Sequence, residues 1–223
     1  MKKGKIIVIE GSDCSGKETQ AKKLVARLKK EGKKVAYFSF PDYKAETGKI
    51  IGGPILGIPD IGKSYFKDVS SLDPYVASLY YAADRRFHIE ELHKAIENNE
   101  YIILNRYIPS SMAHQGGKIQ NKEARKKFYQ EIEYLEYEIL SLPKPNIIFF
   151  LYVPIEVSCK LLEQRGNADK AETNIQYLQN AMQAYQELAK LYKYCIIDCT
   201  SKKQLRDIDD IHEEIYQKLF ERI

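Results

Sequence analysis

No stretch of this chain approaches the ~18 consecutive apolar residues of a membrane-spanning helix, which argues against a membrane protein. There is no surplus of one charge sign either: 35 Lys and Arg face 31 Asp and Glu, a net +4. That balance does not point to nucleic acid as a partner, although it suits a small anionic substrate. Metal-ligand spacing is also missing. His212 follows Cys195 and Cys199 at a distance a zinc finger uses, but the second His is absent. Cys14, Cys159, Cys195 and Cys199 therefore read as buried or surface thiols. His88, His93, His114 and His212 show no ligand spacing. Repeats, low-complexity tracts and linkers are absent, so one domain over residues 1–223 is expected. The basic start, Met1 to Lys5, leads into an apolar run too short for a secretion signal. The expected location is cytoplasmic. With 44% hydrophobic and 30% charged residues, the composition is that of a soluble globular protein able to bury a full core.

The most informative stretch is Gly11-Ser12-Asp13-Cys14-Ser15-Gly16-Lys17-Glu18-Thr19-Gln20. It follows the apolar run Ile6–Ile9 and precedes a helical pattern with Ala21, Leu24, Val25 and Leu28 on one face. In that setting the glycines let a tight loop wrap the phosphates of a nucleoside triphosphate with its N–H groups. The helix adds its positive N-terminal end, and Lys17 reaches the outer phosphates.

Apolar runs alternate with helical patterns along the rest of the chain. Strands are expected at about 5–10, 35–38, 101–104, 146–153 and 194–198. One helix is expected from the Asp73-Pro74 cap to about Asn98, past Tyr81, Asp84 and Arg85. Another covers Lys122–Leu142, with Phe128, Ile132, Leu135 and Ile139 inward. A third covers Ala171–Leu191, with Ile175, Leu178, Met182, Tyr185 and Leu188 inward. Gly48 to Gly62 reads as a short helix plus a functional loop. Strands separated by helices give an α/β fold: a five-stranded parallel sheet with helices on both faces. Ligands of such sheets bind beyond the C-terminal strand ends. The phosphate loop, Phe40-Pro41, Asn105-Arg106 and the segment after Cys199 are expected to converge there.

Several segments, in order, carry a family likeness. Gly-x-Asp-x-x-Gly-Lys-x-Thr-Gln at Gly11–Gln20 resembles the loop of thymidylate kinases. Phe40-Pro41-Asp42-Tyr43 with Gly48 resembles their Phe-Pro-x-Tyr segment, and Tyr81 to Arg86 their helix motif ending in Asp-Arg. Asn105-Arg106-Tyr107, running on through Ser110, Ser111, Ala113, His114, Gln115 and Gly116, is similar to their Asp-Arg-Tyr segment. Leu142-Pro143-Lys144-Pro145-Asn146 resembles the segment before their fourth strand.

The resemblance implies a P-loop NTPase-type three-layer sandwich with a small lid at about 165–172. It also implies phosphoryl transfer from ATP, with magnesium, to dTMP, giving dTDP in dTTP synthesis. ATP is expected against Gly11, Ser12, Asp13, Cys14, Ser15, Gly16, Lys17, Glu18, Thr19 and Arg165. The acceptor is expected against Asp13, Phe40, Pro41, Tyr43, Tyr81, Arg85, Arg106, Ser110 and Gln115. Arg106 is implied to grip the acceptor phosphate, where a bidentate guanidinium outdoes an ammonium. Tyr81 and Arg85 share a helix face at i, i+4. In the family the aromatic stacks on thymine and the Arg bonds a base carbonyl; core packing of Tyr81, with Arg85 on a nearby acid, is the alternative. Asp13 is implied to accept from the deoxyribose 3′-hydroxyl, and Gln115 offers both donor and acceptor to a pyrimidine edge. The loop has no Arg between its glycines. The catalytic cation beside Lys17 and Arg106 therefore falls to Arg165 or Lys170 in the lid, which would close over the phosphates and exclude water. Similar proteins are often homodimers. Helix faces with Phe128, Tyr129, Tyr134 and Tyr137 either serve that contact or pack inward.

Three positions depart from the family pattern. Glu18 stands where Ser or Thr normally holds magnesium, and Asn105 replaces the Asp that lies near the metal. Together they raise the idea that one carboxylate has moved from the third strand to the loop, with Glu18 ligating the ion directly or through water. The alternative is a Glu18 turned to solvent at a helix N-terminus, where a carboxylate is favourable anyway. Tyr43 stands where some relatives carry Arg. The rival readings are a kinase for another pyrimidine monophosphate and a nucleotide-binding protein that has lost catalysis.

Overall fold

The structure is a computed structural model that describes residues 3–165, 174–202 and 204–223. In chain order, β1 (Lys5–Gly11) leads through the phosphate loop into α1 (Lys17–Lys30) and β2 (Val35–Ser39). Next come α2 (Glu46–Ile50), prolonged by a π-helical turn at Ile51–Ile55, then α3 (Pro74–Phe87), α4 (Ile89–Asn98) and β3 (Tyr101–Asn105). They are followed by α5 (Ile108–Gly116) and α6 (Lys122–Glu133), which runs into a second π-helical stretch at Tyr134–Ile139. The chain closes with β4 (Ile147–Tyr152), α7 (Ile155–Arg165), α8 (Ile175–Leu191), β5 (Cys195–Asp198), the short strands β6 (Thr200–Ser201) and β7 (Gln204–Leu205), and α9 (Ile208–Arg222).

The five long strands form one parallel sheet in the order β2-β3-β1-β4-β5, with Ile7 of β1 opposite both Ile103 and Ile147. These strands are apolar at successive positions because both faces are covered. Alternate residues go to opposite sides. Ile6, Val8, Ile102, Leu104 and Phe150 join a core with α4, α5, α6 and α8. Ile7, Ile9, Ile103, Phe149 and Leu151 join a second core with α1 and α9. This is the expected three-layer sandwich.

Local expectations fail where tertiary contacts decide. The helix expected from Pro74 to Asn98 breaks at His88, whose buried ring packs edge-on against Phe40 at 5.9 Å and Phe87 at 5.3 Å. The break lets α4 lay Ile89, Leu92 and Ala95 on the sheet while α3 turns Arg85 elsewhere. Ile139, expected inward, is 60% exposed. In the π-helical stretch the Leu140 N–H bonds the Leu135 carbonyl, five residues back, and that wider turn carries Ile139 off the buried stripe. Ile175, also expected inward, is exposed, because α8 starts only there, capped by Asn174 through the Tyr177 N–H. Phe128 and Tyr129 pack inward, whereas Tyr134 faces solvent. The β6–β7 hairpin has strands too short to leave a sequence pattern.

Candidate active site

The phosphate loop takes its shape from two glycines. Gly16 holds φ 79, in the left-handed region, and caps α1 without a side chain. A Cβ on Gly11 would meet the Leu151 carbonyl at 2.7 Å. Between them Ser158 of α7 donates to the Asp13 carbonyl at 2.8 Å and ties the loop to the sandwich. The free N–H groups of the first turn of α1 make this end an anion site. Lys17 is buried at that turn and donates to the Ser12 carbonyl at 2.6 Å. Burial, reinforced by Arg106, pushes its pKa down to about 8, against the pull of Asp13 and Glu10.

A cleft opens beside the loop, with a cavity volume of about 100 Å³. Every residue expected against the acceptor lines it: Asp13, Phe40, Pro41, Tyr43, Tyr81, Arg85, Arg106, Ser110 and Gln115. The backbone explains the gathering. β2 delivers Phe40-Pro41, joined by a cis peptide bond, and β3 delivers Arg106. Asp84 of α3, fully buried, accepts from the Thr47 hydroxyl at 2.8 Å and the Asp42 N–H at 3.1 Å, which holds the Tyr43 segment against the cleft. The segment after Cys199 does not line this cleft; past β6–β7 it reaches the start of α1, where the Ile208 carbonyl accepts from Gln20 Nε2.

Charges in the cleft are paired. Arg106 is in contact with Asp13 through Nη2, and its Nη1 donates to Ser110 at 3.3 Å. Burial opposes ionisation of Asp13, but Arg106 and Lys17 outweigh it and hold the carboxyl well below the usual range. Arg106 sits at φ 62, a strained position for a non-glycine residue. Glu10 supports it: this fully buried carboxylate accepts from the Tyr107 N–H at 2.8 Å, the Ser110 hydroxyl at 2.7 Å and the Tyr185 hydroxyl at 3.0 Å. Burial nonetheless raises the Glu10 pKa, against Arg106 and those bonds. Arg85, 2% exposed, grips Glu136 with Nε at 2.5 Å and Nη2 at 2.6 Å, while still lining the cleft. The pairing of Arg85 with a nearby acid, one of the two readings offered for it, is what the structure shows. Tyr81 likewise packs on Ile51, Ile55, Leu56 and Val69 and faces the cleft. The Gln115 Oε1 is buried with no hydrogen-bond partner.

Residues in the cleft and behind it escaped the sequence reading. Glu10 left a signal, a lone carboxylate closing an apolar strand. So did Glu136, four residues after Ile132 and eight after Phe128 on a buried stripe. His114 lines the cleft, 3.2 Å from the Tyr177 hydroxyl through Nδ1 and 3.4 Å from Arg106 through Nε2. Burial, with Arg106 and Lys17 nearby and against Asp13, pushes it down to about 4.

Among the described residues, no group of three or more His, Cys, Asp or Glu gathers for a metal. Oxygen donors do border the loop. Asn105 Oδ1 and Ser15 Oγ are buried without hydrogen-bond partners. Glu18 is exposed and pairs with Lys22 at 2.5 Å. Glu18 and Asn105 share a neighbour in Tyr37, whose hydroxyl burial raises, with Ser39 and Asn105 bonding it and Glu18 adding negative charge. These groups fit a magnesium ion held mainly by phosphates and water. Thr19 is exposed. The Arg165 side chain, Lys170 and most of the expected lid lie outside the described residues.

A family model described as thymidylate kinase matches residues 9–215. A thymidylate kinase of Sulfurihydrogenibium sp. (strain YO3AOP1) is 30% identical over 98% of each chain. One of Caldicellulosiruptor saccharolyticus is 29% identical over 94% of this chain and 98% of its own. The solved structure of a thymidylate kinase from Candida albicans superposes with a TM-score of 0.72 at 25% identity, covering 98% of this chain and 92% of the other.

Proposed function

The chain belongs to the thymidylate kinase family and phosphorylates dTMP to dTDP in dTTP synthesis, and we propose that it does so by direct in-line transfer from ATP held at the phosphate loop. The observation that carries this reading is the contact between Asp13 and Arg106. Asp13 belongs to the loop and Arg106 to the acceptor cleft, so the two phosphates would meet at their junction. On arrival of dTMP, Arg106 exchanges Asp13 for the acceptor phosphate, and Asp13 is released to accept from the sugar 3′-hydroxyl. Lys17 exchanges the Ser12 carbonyl for the outer phosphates of ATP. The reaction needs positioning and cations rather than a covalent intermediate. Magnesium would be held by the ATP phosphates, with Glu18 and Asn105 at its rim, and would neutralise phosphate charge. Arg165 or Lys170 supplies the cation that the phosphate loop lacks between its glycines.

Base choice follows from the cleft wall. Arg85 offers N–H donors and Gln115 Oε1 an empty acceptor. That pair matches the carbonyl and N–H edge of thymine and opposes the amine and bare nitrogen of cytosine. The exposed stripe Val76, Leu79, Tyr80 and Phe87 on α3 is apolar and continuous, and a second copy of this chain would cover it. A monomer by light scattering at micromolar concentration would rule that out. The site of action proposed is the cytoplasm. The central test is a coupled ADP-release assay across nucleoside monophosphates with magnesium varied. dTMP is expected to give the highest kcat/KM; preference for a purine monophosphate, or tight nucleotide binding without turnover, would overturn the assignment.

A further inference from the structure

We infer that Glu136 is a specificity-determining positioning residue, which acts on the base through Arg85 without touching it. The inference rests on reading the cleft as the dTMP site. Glu136 is 0% exposed and does not line the cleft. It lies 51 residues from Arg85 in sequence, in the π-helical stretch that follows α6. Its two oxygens take both Nε and Nη2 of the guanidinium, at 2.5 and 2.6 Å, and Ser111 Oγ takes the second Nη2 proton at 2.8 Å. Three of the five guanidinium protons are thereby committed. Among the described residues Nη1 has no hydrogen-bond partner, so its two protons are the ones Arg85 has left to offer the cleft.

Two properties follow. The plane of the guanidinium is fixed, because a bidentate fork admits one orientation where a single bond admits many. The charge is also cancelled, so Arg85 presents neutral-pair donors rather than a free cation. A free cation at this wall would draw in phosphate or an anionic base and would tolerate a misplaced carbonyl. A fixed donor next to the Gln115 acceptor does neither. It rewards a carbonyl at one place and is left unpaired by an amine there, a penalty of the kind that gives polar sites their selectivity. The sequence supports a dedicated role. A carboxylate on the buried stripe of Phe128 and Ile132 is costly unless a partner stands opposite, and Arg85 is the partner the fold supplies.

The experiment compares the wild-type chain, Glu136→Gln and Glu136→Asp on dTMP and dCMP at saturating ATP, with thermal melting of each. Gln keeps the shape but turns one acceptor into a donor facing Arg85. Asp keeps the charge but is one methylene too short to hold both nitrogens. For Glu136→Gln the dTMP KM should rise about tenfold and the dTMP to dCMP ratio of kcat/KM fall about tenfold, while the ATP KM stays within about twofold. Glu136→Asp should show the same pattern at smaller size, and it decides the matter if Glu136→Gln does not fold. A variant with a lower melting temperature but wild-type KM and wild-type ratio overturns the inference, since Glu136 would then be only a structural counter-ion. A wild-type chain that shows no preference for dTMP overturns the underlying reading of the cleft, and that is seen before any variant is considered.

Discussion

The acceptor cleft and the phosphate loop meet at Asp13, yet they are built in opposite ways. In the cleft each arginine is paired with a carboxylate: Arg85 with Glu136 and Arg106 with Asp13. Gln115 Oε1, a neutral acceptor, stays without a hydrogen-bond partner. Around the loop the open groups are more numerous and aim at charge: the N-terminal end of α1, Ser15 Oγ, Asn105 Oδ1, and a Lys17 lodged on a backbone carbonyl. The difference teaches what each half is for. On the proposed reading, a cleft that chooses among neutral bases cancels its charges in advance and lets hydrogen-bond geometry decide. A loop that holds a polyphosphate can leave selectivity aside and keep its positive groups available.

The strongest way to break the comparison is at the junction. Arg106→Met removes a guanidinium that rests on Asp13 and that, on the proposed reading, moves to the acceptor phosphate. The expected loss in kcat/KM for dTMP is about 10³-fold, the lower end for a guanidinium that stabilises phosphoryl transfer. Nucleotide affinity measured by calorimetry should hold within about threefold. A loss below tenfold, or an equal loss of ATP binding, would mean that Arg106 does not belong to the acceptor side.

The next effect is one of acid stability, and it sharpens the charge cancellation. His114 sits beside Arg106 and is pushed down to about 4 in the folded chain, from an ordinary 6.5, mainly by burial and by Arg106. Unfolded chains therefore bind its proton first as pH falls. The His114 contribution to stability is expected to be flat above pH ~6.5, to drop between there and ~4 by at most about 3 kcal/mol, and to level off below. Asp13, depressed by Arg106 and Lys17 against burial, adds its own loss only below its unfolded value of 3.8. Urea unfolding at stepped pH, for the wild type and His114→Gln, separates the two. The variant should lose the slope above pH ~4.5 and keep the one below.

The halves also differ in how far the sequence revealed them. Strands were legible because a sheet covered on both faces demands apolar residues at successive positions, as in Ile6–Ile9 and Ile147–Leu151. Of the cleft lining, Phe40 and Arg106 were legible because they follow strand ends, which converge in a parallel sheet, whereas Tyr81, Arg85, Ser110 and Gln115 were named from the family resemblance. What stayed hidden depends on partners distant in sequence. Glu136 pairs with Arg85, and the break at His88 answers to Phe40. The wider turn that exposes Ile139 leaves no periodic trace of its own. Glu10 was visible as a charge but not as a support, since its four donors come from α5, the turn before it and α8.

The smallest expected effect tests the other half, at Glu18 of the loop. Glu18 is exposed and bonds Lys22, an i, i+4 pair that solvent screens. If Glu18 takes over the carboxylate missing at Asn105, it must leave Lys22 when magnesium and ATP arrive, and the gain over water is small. Glu18→Gln and Glu18→Ser are then expected to raise the magnesium concentration at half-maximal rate by about two- to fivefold, with little change at saturating magnesium. Lys22→Ala should act in the opposite direction, because it frees Glu18 from a competitor. Unchanged rate and magnesium dependence in both Glu18 variants would end the idea of a relocated carboxylate. The loop would then hold its ion through phosphates, water and Asn105 alone, and Glu18 would be an ordinary favourable charge at the start of α1.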